Sequence, residues 1–374
     1  MEFDRRQELR KGVLQGLAWV LVACVFLLLA NVAKPAEAAD VPEPFDRGAL
    51  LFPYYEAPDV LNSAAMHHHN RLASRLLKQL QSLNTLTTQY CAGVAALAAL
   101  NEQYSKAYLT WLELSAVVTG SMLTNNTVRQ IDFRPLRVNL LERAIQKQPM
   151  GTEQMALVGS PAKGFPAYEY LLTQPSFKPA TAPCAYAREV VQDLARVVSE
   201  LKWTPVENLA GDEDEQANAL RADMQLYLNQ LVGAVHNLAW ERMEKSMLKA
   251  SDQGAAGKGT VPPFSALNLT TRAWAAQWQG IEPLLVLGSP KVPDAVQQVI
   301  PLEAYLRGLG QIGLADKLVK RSAAAAVAMQ ANSLEKPEQI AQSIQALKAL
   351  KAFLEQDVAK GLKVSIQFSS SDGD

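Results

Sequence analysis

The chain has 374 residues, a formal net charge of −1 at pH 7, and charged side chains at 20% of its positions. This length suits two ordinary domains, each with a sizeable core. Lys and Arg residues are scattered rather than gathered on one face, which argues against nucleic acid as a partner. Ala, Leu, Gln, Lys and Glu dominate and β-branched alternation is scarce, so the composition predicts an all-α fold.

Residues 1–38 have the pattern of an export signal. Basic residues open the segment, an apolar stretch follows from Val13 to Ala33, and Ala36-Glu37-Ala38 forms an Ala-x-Ala cleavage site. The alternative is an uncleaved anchor, because residues 13–33 are long enough to span a bilayer. Contact with a membrane is expected only through residues 13–33, if they are retained. We therefore expect a protein of the periplasm or cell envelope.

Two cysteines, Cys91 and Cys184, lie beyond this segment. An exported protein is exposed to oxidising conditions, which favour a disulfide. Two buried free thiols are an equal alternative, because the sequence does not tell whether the two Cα atoms lie within bonding distance.

The first half of the chain, after an extended lead-in at residues 40–57, has the apolar spacing of core-facing helices. Two long helices are predicted between Asp59 and about Thr119, the second with Tyr108 and Trp111 on one face. A polar loop follows at residues 124–127. Further helices are predicted at 136–147, 164–172 and 184–203.

A boundary between domains is predicted near residue 205. Pro205, Gly211 and the acidic run 212–215 mark a solvated linker and the first turn of the next helix. The sequence thus predicts one helical bundle at residues 50–205 and a second at 206–374. The second half shows helical patterns at 218–249, 269–287, 294–314, 318–329 and 337–354, and a strand-like tail at 364–374.

One short helix start holds a candidate site residue. In Gly164 to Leu172, Gly-Phe-Pro-Ala-Tyr-Glu-Tyr-Leu-Leu, the carboxylate of Glu169 lies among aromatic and aliphatic residues near the positive end of the helix. Pro166 stands three residues earlier, where a metal-binding helix could carry a second ligand on the same face. The run Pro301-Leu-Glu303-Ala-Tyr-Leu echoes this segment faintly, and the likeness is too slight to prove duplication.

A second candidate lies in the run from Ile131 to Pro135, where Asp132 and Arg134 flank an aromatic residue. One interpretation is that both side chains help to line a pocket. The other, slightly favoured by the sequence, is an ion pair within a loop, which contributes at most about 1 kcal/mol when exposed.

The four histidines do not form a metal motif. His67, His68 and His69 are adjacent, and adjacent helical side chains point about 100° apart, so a surface cluster is predicted. His236 has no partner at helical spacing and is interpreted as a core or groove residue. Phosphate loops, Gly-x-Ser-x-Gly elbows and His-Glu-x-x-His pairs do not occur in the sequence, which argues against the corresponding enzyme classes.

Residues 163–172 resemble the Gly-x-His-x-x-Glu-Tyr-Leu-Leu motif of the imelysin-like proteins, a family named after an insulin-cleaving membrane peptidase. Three further runs are similar to those of the family: Ile131 to Pro135, Cys184-Ala185-Tyr186, and the ending from Phe368 to Asp374. The resemblance covers about residues 50–374.

This resemblance implies an all-α periplasmic protein of two four-helix-bundle-like halves, with a functional site in the groove between them. Such proteins are often encoded near iron-uptake systems, so envelope components of iron uptake are the implied partners. Pro166 replaces the motif histidine, which leaves Glu169 as the implied ligand of a metal such as iron or zinc. The predicted motif and groove residues are Gly164, Glu169, Asp132, Arg134 and Asp372.

Three hypotheses follow. The leading one is a non-catalytic protein that binds a ligand, metal or partner in iron acquisition, with little effect of Glu169→Ala on stability if that residue faces the groove. The alternative is a metallopeptidase in which His236, or one of His67 to His69, supplies the missing imidazole near Glu169. The third is a purely structural envelope protein, with no groove and with Glu169 paired to an arginine.

Overall fold

The computed structural model describes residues 45–206, 212–247 and 267–366. Within these ranges the regular structure is helical and contains no strand, so the predicted all-α fold is confirmed. None of the helices in the described ranges is both long and apolar enough to cross a membrane. The segment 1–38 and Asp372 lie outside the described residues.

The first half of the chain folds into long helices joined by short ones. The α-helices are α1 (Ala57–Ser63), α2 (Asn70–Cys91), α3 (Leu97–Leu114), α4 (Ser121–Thr124), α5 (Thr127–Ile131), α6 (Val138–Lys147), α7 (Gly151–Ala156), α8 (Gly164–Leu172) and α9 (Ala182–Ser199). A π-helical segment, Ala64–His69, joins α1 to α2, and a 3-10 turn, Ser160–Ala162, precedes α8.

The second half of the chain is also built from α-helices, with further π-helical segments. Its α-helices are α10 (Glu213–His236), α11 (Thr270–Leu285), α12 (Leu302–Gly308), α13 (Ile312–Gln330), α14 (Pro337–Phe353) and α15 (Ala359–Gly361). The π-helical segments Asn237–Glu244 and Leu354–Val358 extend α10 and α14. Asp212 caps α10 by accepting a hydrogen bond from the backbone N–H of Glu215 at 3.0 Å, which gives the acidic run its place at a positive helix end.

One predicted helix is wrong, and one predicted strand lies mostly outside the described residues. The helix expected at 294–314 begins only at Leu302, after Pro301 with its extended backbone, and is separated from α13 by Gly310 in a left-handed conformation. Proline and glycine thus override the apolar spacing on either side. Residues 364–366, the described part of the expected strand-like tail, form no strand.

Buried apolar side chains form two clusters. One is built mainly from α2, α3, α8 and α9, and the other mainly from α10 to α14. Helix α11 serves both, because Ala273 and Ala276 belong to the first cluster whereas Trp274 and Trp278 belong to the second. A division into domains at residue 205 stays a prediction.

Cys91 and Cys184 form a disulfide, with their Cα atoms 5.7 Å apart. The bond joins the last residue of α2 to the first turn of α9, and these two helices pack along each other. Of the two alternatives left open by the sequence, the structure therefore has the disulfide.

Candidate functional site

Gly164 determines how α8 meets the chain before it. Its φ is +78°, and a Cβ atom at this position would lie 2.2 Å from the carbonyl oxygen of Ile131. Only glycine allows this close approach, because any side chain would collide with backbone. Helix α8, which carries Glu169, is thereby held against the end of α5, immediately before Asp132.

Arg134 connects the two carboxylates that the sequence singled out. Its Nε donates to Oδ1 of Asp132 at 2.9 Å, and its Nη2 donates to Oε2 of Glu169 at 2.9 Å. The Arg134 side chain is 28% exposed, whereas those of Asp132 and Glu169 are 1% and 9% exposed. The structure thus brings three predicted site residues together, and the interaction spans α8 and a loop rather than the loop alone.

Tyr108 on α3 completes this group, although the sequence indicated only a core position for it. Its hydroxyl donates to Oδ2 of Asp132 at 3.1 Å and accepts from Arg134 at 3.0 Å. Burial raises the pKa of Tyr108 well above its usual value, so the phenol keeps the proton that it donates. We call Tyr108, Asp132, Arg134 and Glu169 the Arg134 cluster.

The Arg134 cluster rests on buried aromatic rings. Tyr104 stacks on Tyr108 at 5.7 Å and on Tyr168 at 5.5 Å between ring centroids. The hydroxyl of Tyr168 is 2.6 Å from Oγ1 of Thr87. Burial, and then the negative charge of Glu169, raise the pKa of Tyr104 well above its usual value. The carboxylate therefore lies against an apolar floor, where electrostatic interactions are stronger than in water.

Two further features describe the surroundings of the Arg134 cluster. Arg134 contacts Oε2 of Glu169, and among the described residues Oε1 makes no hydrogen bond. Arg242, from the π-helical segment 237–244, adds a second positive charge that opposes the rise in the pKa of Tyr108. The cluster therefore lies within electrostatic reach of the second half of the chain.

The histidines differ from their predictions. His68 and His69 are buried, so a surface cluster is wrong for both; they belong to the π-helical segment 64–69, whose wider turn changes the direction of its side chains. Burial, followed by the nearby His69 and Arg71, lowers the pKa of His68 to about 3. His236 is exposed, so a core position is wrong for it.

None of the four histidines is among the polar contacts of Glu169. The described residues contain no group of three or more His, Cys, Asp or Glu side chains suited to hold a metal ion. Pro166 is buried at the third position of α8, where its missing N–H removes no intrahelical bond. The role of Glu169 as a metal ligand stays a prediction.

Comparison with known proteins bears on this geometry. A sequence model of the imelysin family matches residues 67–359. The crystal structure of an imelysin-like protein from Psychrobacter arcticum 273-4 superimposes on this chain with a TM-score of 0.63 and 15% sequence identity. The match covers 85% of this chain and 100% of that one. None of the curated proteins matches the chain in sequence.

A second solved structure has the same fold. It is described as an iron-regulated protein A precursor from Parabacteroides distasonis ATCC 8503, and it is 12% identical with a TM-score of 0.60. The match covers 85% of this chain and 97% of that chain. At these identities the two structures establish the helical fold alone.

Replacement of Gly164 by alanine should destabilise the protein strongly. The added Cβ would lie 2.2 Å from the Ile131 carbonyl oxygen, so α8 must move, at a cost of about 3 kcal/mol or more. Gly151→Ala is the matched control, because Gly151 has φ +71° with nothing within 4 Å of the added atom, and should cost only about 1 kcal/mol. Urea unfolding measures both, and equal losses would contradict the close-approach argument.

Removal of the Glu169 charge should also lower the free energy of unfolding. Glu169→Gln weakens a mostly buried ion pair while Arg134 keeps Asp132, so a loss of about 1–3 kcal/mol is expected. From the sequence, little effect of Glu169→Ala on stability is expected only if Glu169 faces an open groove.

Arg196 provides the control for Glu169→Gln, because it bridges the buried Asp193 and the exposed Glu200, as Arg134 bridges its two carboxylates. Glu200 is 62% exposed, so Glu200→Gln should cost less than about 0.5 kcal/mol. Equal stability of the two variants in urea unfolding would show that the Glu169 pair is not a buried interaction.

Proposed function

Because the chain belongs to the imelysin family, we propose that it is an exported, non-catalytic imelysin-like protein that binds a ligand or partner during iron acquisition. The Arg134 cluster is the proposed recognition site. The observation that carries this proposal is the contact of 2.9 Å between Arg134 and the motif carboxylate of Glu169.

This contact disfavours a metallopeptidase for two reasons. A guanidinium on Glu169 neutralises the carboxylate and would compete with a metal ion for Oε2. Catalytic zinc sites also need about three protein ligands, whereas Pro166 replaces the motif histidine and no histidine contacts Glu169 among the described residues. The geometry suits recognition by hydrogen bonds and charge better than hydrolysis through a metal.

The Arg134 cluster offers a ligand a positive charge and a hydrogen-bond acceptor. The guanidinium, with its side chain 28% exposed, brings a positive charge to the site, while Oε1 of Glu169 is an acceptor beside it. A few polar groups set on an apolar floor are typical of binding sites that fix the orientation of a ligand. The proposed ligand therefore carries adjacent donor and acceptor groups.

A second buried carboxylate, that of Glu303, can be compared with Glu169. Glu303, near the start of α12, pairs with Arg47 at 2.9 Å and with Arg307 at 3.0 Å, and all three side chains are at most 5% exposed. Glu303 also accepts a hydrogen bond from the backbone of Leu287. Arg307 also pairs with the half-exposed Asp316 at 2.8 Å, but its own side chain is 4% exposed against 28% for Arg134, so the Arg134 guanidinium is the more accessible of the two, which supports a binding role for the Arg134 cluster.

Export and a role in iron acquisition are supported by the N-terminal sequence and by one of the similar structures. Residues 1–38 have the pattern of a signal peptide, and the Parabacteroides structure is described as the precursor of an iron-regulated protein. We extend both properties to this chain as part of the proposal, with the periplasm or cell envelope as its location.

A purely structural envelope protein is the second candidate. The observation that favours it is the same ion pair, since a structural protein is expected to bury Glu169 against an arginine. The two candidates differ in what happens when the charge of Arg134 is removed from a protein that still folds.

Purified protein should contain far less than one metal ion per chain. Pro166→His restores an imidazole three residues before Glu169, on the same face of α8, and should retain more zinc than the wild type. Tyr170→His is the control, because it adds an imidazole about 100° around the helix from Glu169. Elemental analysis after dialysis measures all three.

The proposal of a non-catalytic protein fails if the wild type holds stoichiometric metal and cleaves peptides in a reaction that a chelator stops and Glu169→Gln abolishes. Equal zinc retention by the Pro166→His and Tyr170→His variants would contradict the interpretation of Pro166.

Deletion of the gene should slow growth of the source organism under iron limitation, and the wild-type gene should restore it. Arg134→Gln should not restore growth at equal protein abundance, because the ligand loses its charged donor. Arg196→Gln, which removes an arginine of similar exposure outside the Arg134 cluster, should restore growth. Full rescue by Arg134→Gln at equal abundance would favour the structural candidate, and normal growth of the deletion strain would contradict a role in iron acquisition.

A further inference from the structure

A separate cavity of about 290 Å³ lies between the π-helical segment 64–69, the loop after α3, the loop before residue 206 and helix α10. No residue of the Arg134 cluster lines it. Two buried aromatic side chains, Trp203 and Tyr227, contribute to its wall together with Leu61, Leu123 and Leu226. Apolar walls with a few polar groups are typical of sites for small molecules.

Trp203 is held in place by a chain of hydrogen bonds. Its Nε1–H donates to Oγ1 of Thr119 at 3.0 Å, and Oγ1 lies 3.2 Å from Nε2 of His69. Nδ1 of His69 lies 3.0 Å from the carbonyl oxygen of Ala64. Nε2 of His69 also lies 3.1 Å from the carbonyl oxygen of Val117, so each ring nitrogen faces a backbone acceptor and the ring is held from both sides.

Ring stacking and a close backbone approach also fix the indole of Trp203. Burial lowers the pKa of His69, and the carbonyl groups of Ala64 and Val117 oppose that shift. The His69 and Trp203 rings stack at 5.5 Å between centroids. Gly120 lets the indole close on the chain, because a Cβ there would lie 2.5 Å from Cδ1 of Trp203.

The loop that carries Trp203 is fastened at its end. The side chain of Asn62 donates to the carbonyl oxygen of Val206 at 3.2 Å and accepts from its backbone N–H at 2.6 Å. The aromatic wall is therefore formed before any ligand arrives, which lowers the ordering cost of binding.

Asp223 is the charged residue among those that line the cavity, and no Lys or Arg accompanies it there. Among the described residues this half-buried carboxylate has no ion pair or hydrogen bond, and burial raises its pKa. The hydroxyl of Tyr227 is likewise buried without a hydrogen-bond partner within the described ranges. Within the described ranges, the carboxylate of Asp223 therefore has no countercharge and lies in the same cavity wall as two aromatic rings.

We propose that this cavity binds a small organic cation, an ammonium group carried on an apolar body. The ammonium supplies the countercharge that Asp223 lacks, and aromatic rings attract cations through their negative faces. A liquid water molecule occupies about 30 Å³, so a cavity of about 290 Å³ has room for a ligand of about ten non-hydrogen atoms.

Phenethylammonium and its neutral counterpart 2-phenylethanol are suitable probes, because they match in size and differ in charge. Isothermal titration calorimetry with the purified protein should show the cation binding at least about tenfold more tightly than the alcohol. Asp223→Asn should weaken binding of the cation about tenfold and leave binding of the alcohol unchanged. Asp214→Asn, an exposed position on the same helix, removes the same charge outside the cavity and should change neither.

Equal affinity for the two probes, or no binding of the cation at millimolar concentration, would overturn the proposal even if Asp223→Asn fails to fold. An equal loss in the Asp223→Asn and Asp214→Asn variants would overturn it too, since a general effect of net charge would then explain the result. The Arg134 cluster takes no part in this test, so its outcome leaves the proposed function unaffected.

Discussion

The ion pair between Arg134 and Glu169 is the interaction on which the candidate site depends. A carboxylate on an aromatic floor is costly to bury, and it is stable there only with a charged partner at hydrogen-bond distance. Arg134 supplies that partner, while Asp132 and the phenol of Tyr108 hold the guanidinium in place. The geometry in turn requires Gly164, because only a residue without a side chain brings α8 against the Ile131 carbonyl.

The same ion pair shapes the chemistry available to the site. Where the family motif has histidine, the chain has Pro166, and the remaining carboxylate binds a guanidinium. An arginine beside a carboxylate provides directed hydrogen bonds and charge, which serve recognition rather than the activation of water by a metal. The network of Glu303 shows that a buried carboxylate paired with arginine occurs in both halves of the chain, whereas the arginines on Glu303 are far less exposed than Arg134.

The cavity beside Trp203 follows from a different constraint. His68 and His69 in the π-helical segment 64–69 are buried, and His69 stacks on Trp203 and contacts the Thr119 hydroxyl that accepts from the indole. Three adjacent histidines predicted a surface cluster because ordinary helical geometry spreads neighbouring side chains around the axis. Tertiary packing overrode that expectation, since the wider turn changed the direction of each side chain.

The sequence by itself determined the all-α class, most helix positions and the candidates Gly164, Asp132, Arg134 and Glu169. These depend on apolar spacing, on helix-breaking residues and on short motifs, all of which are local along the chain. Only the tertiary structure decided that Cys91 bonds to Cys184, that Arg134 reaches Glu169, that Tyr108 joins them, and that Trp203 and Asp223 share a cavity. The physical reason is distance in sequence: such contacts form between elements tens of residues apart, and they depend on how whole helices pack.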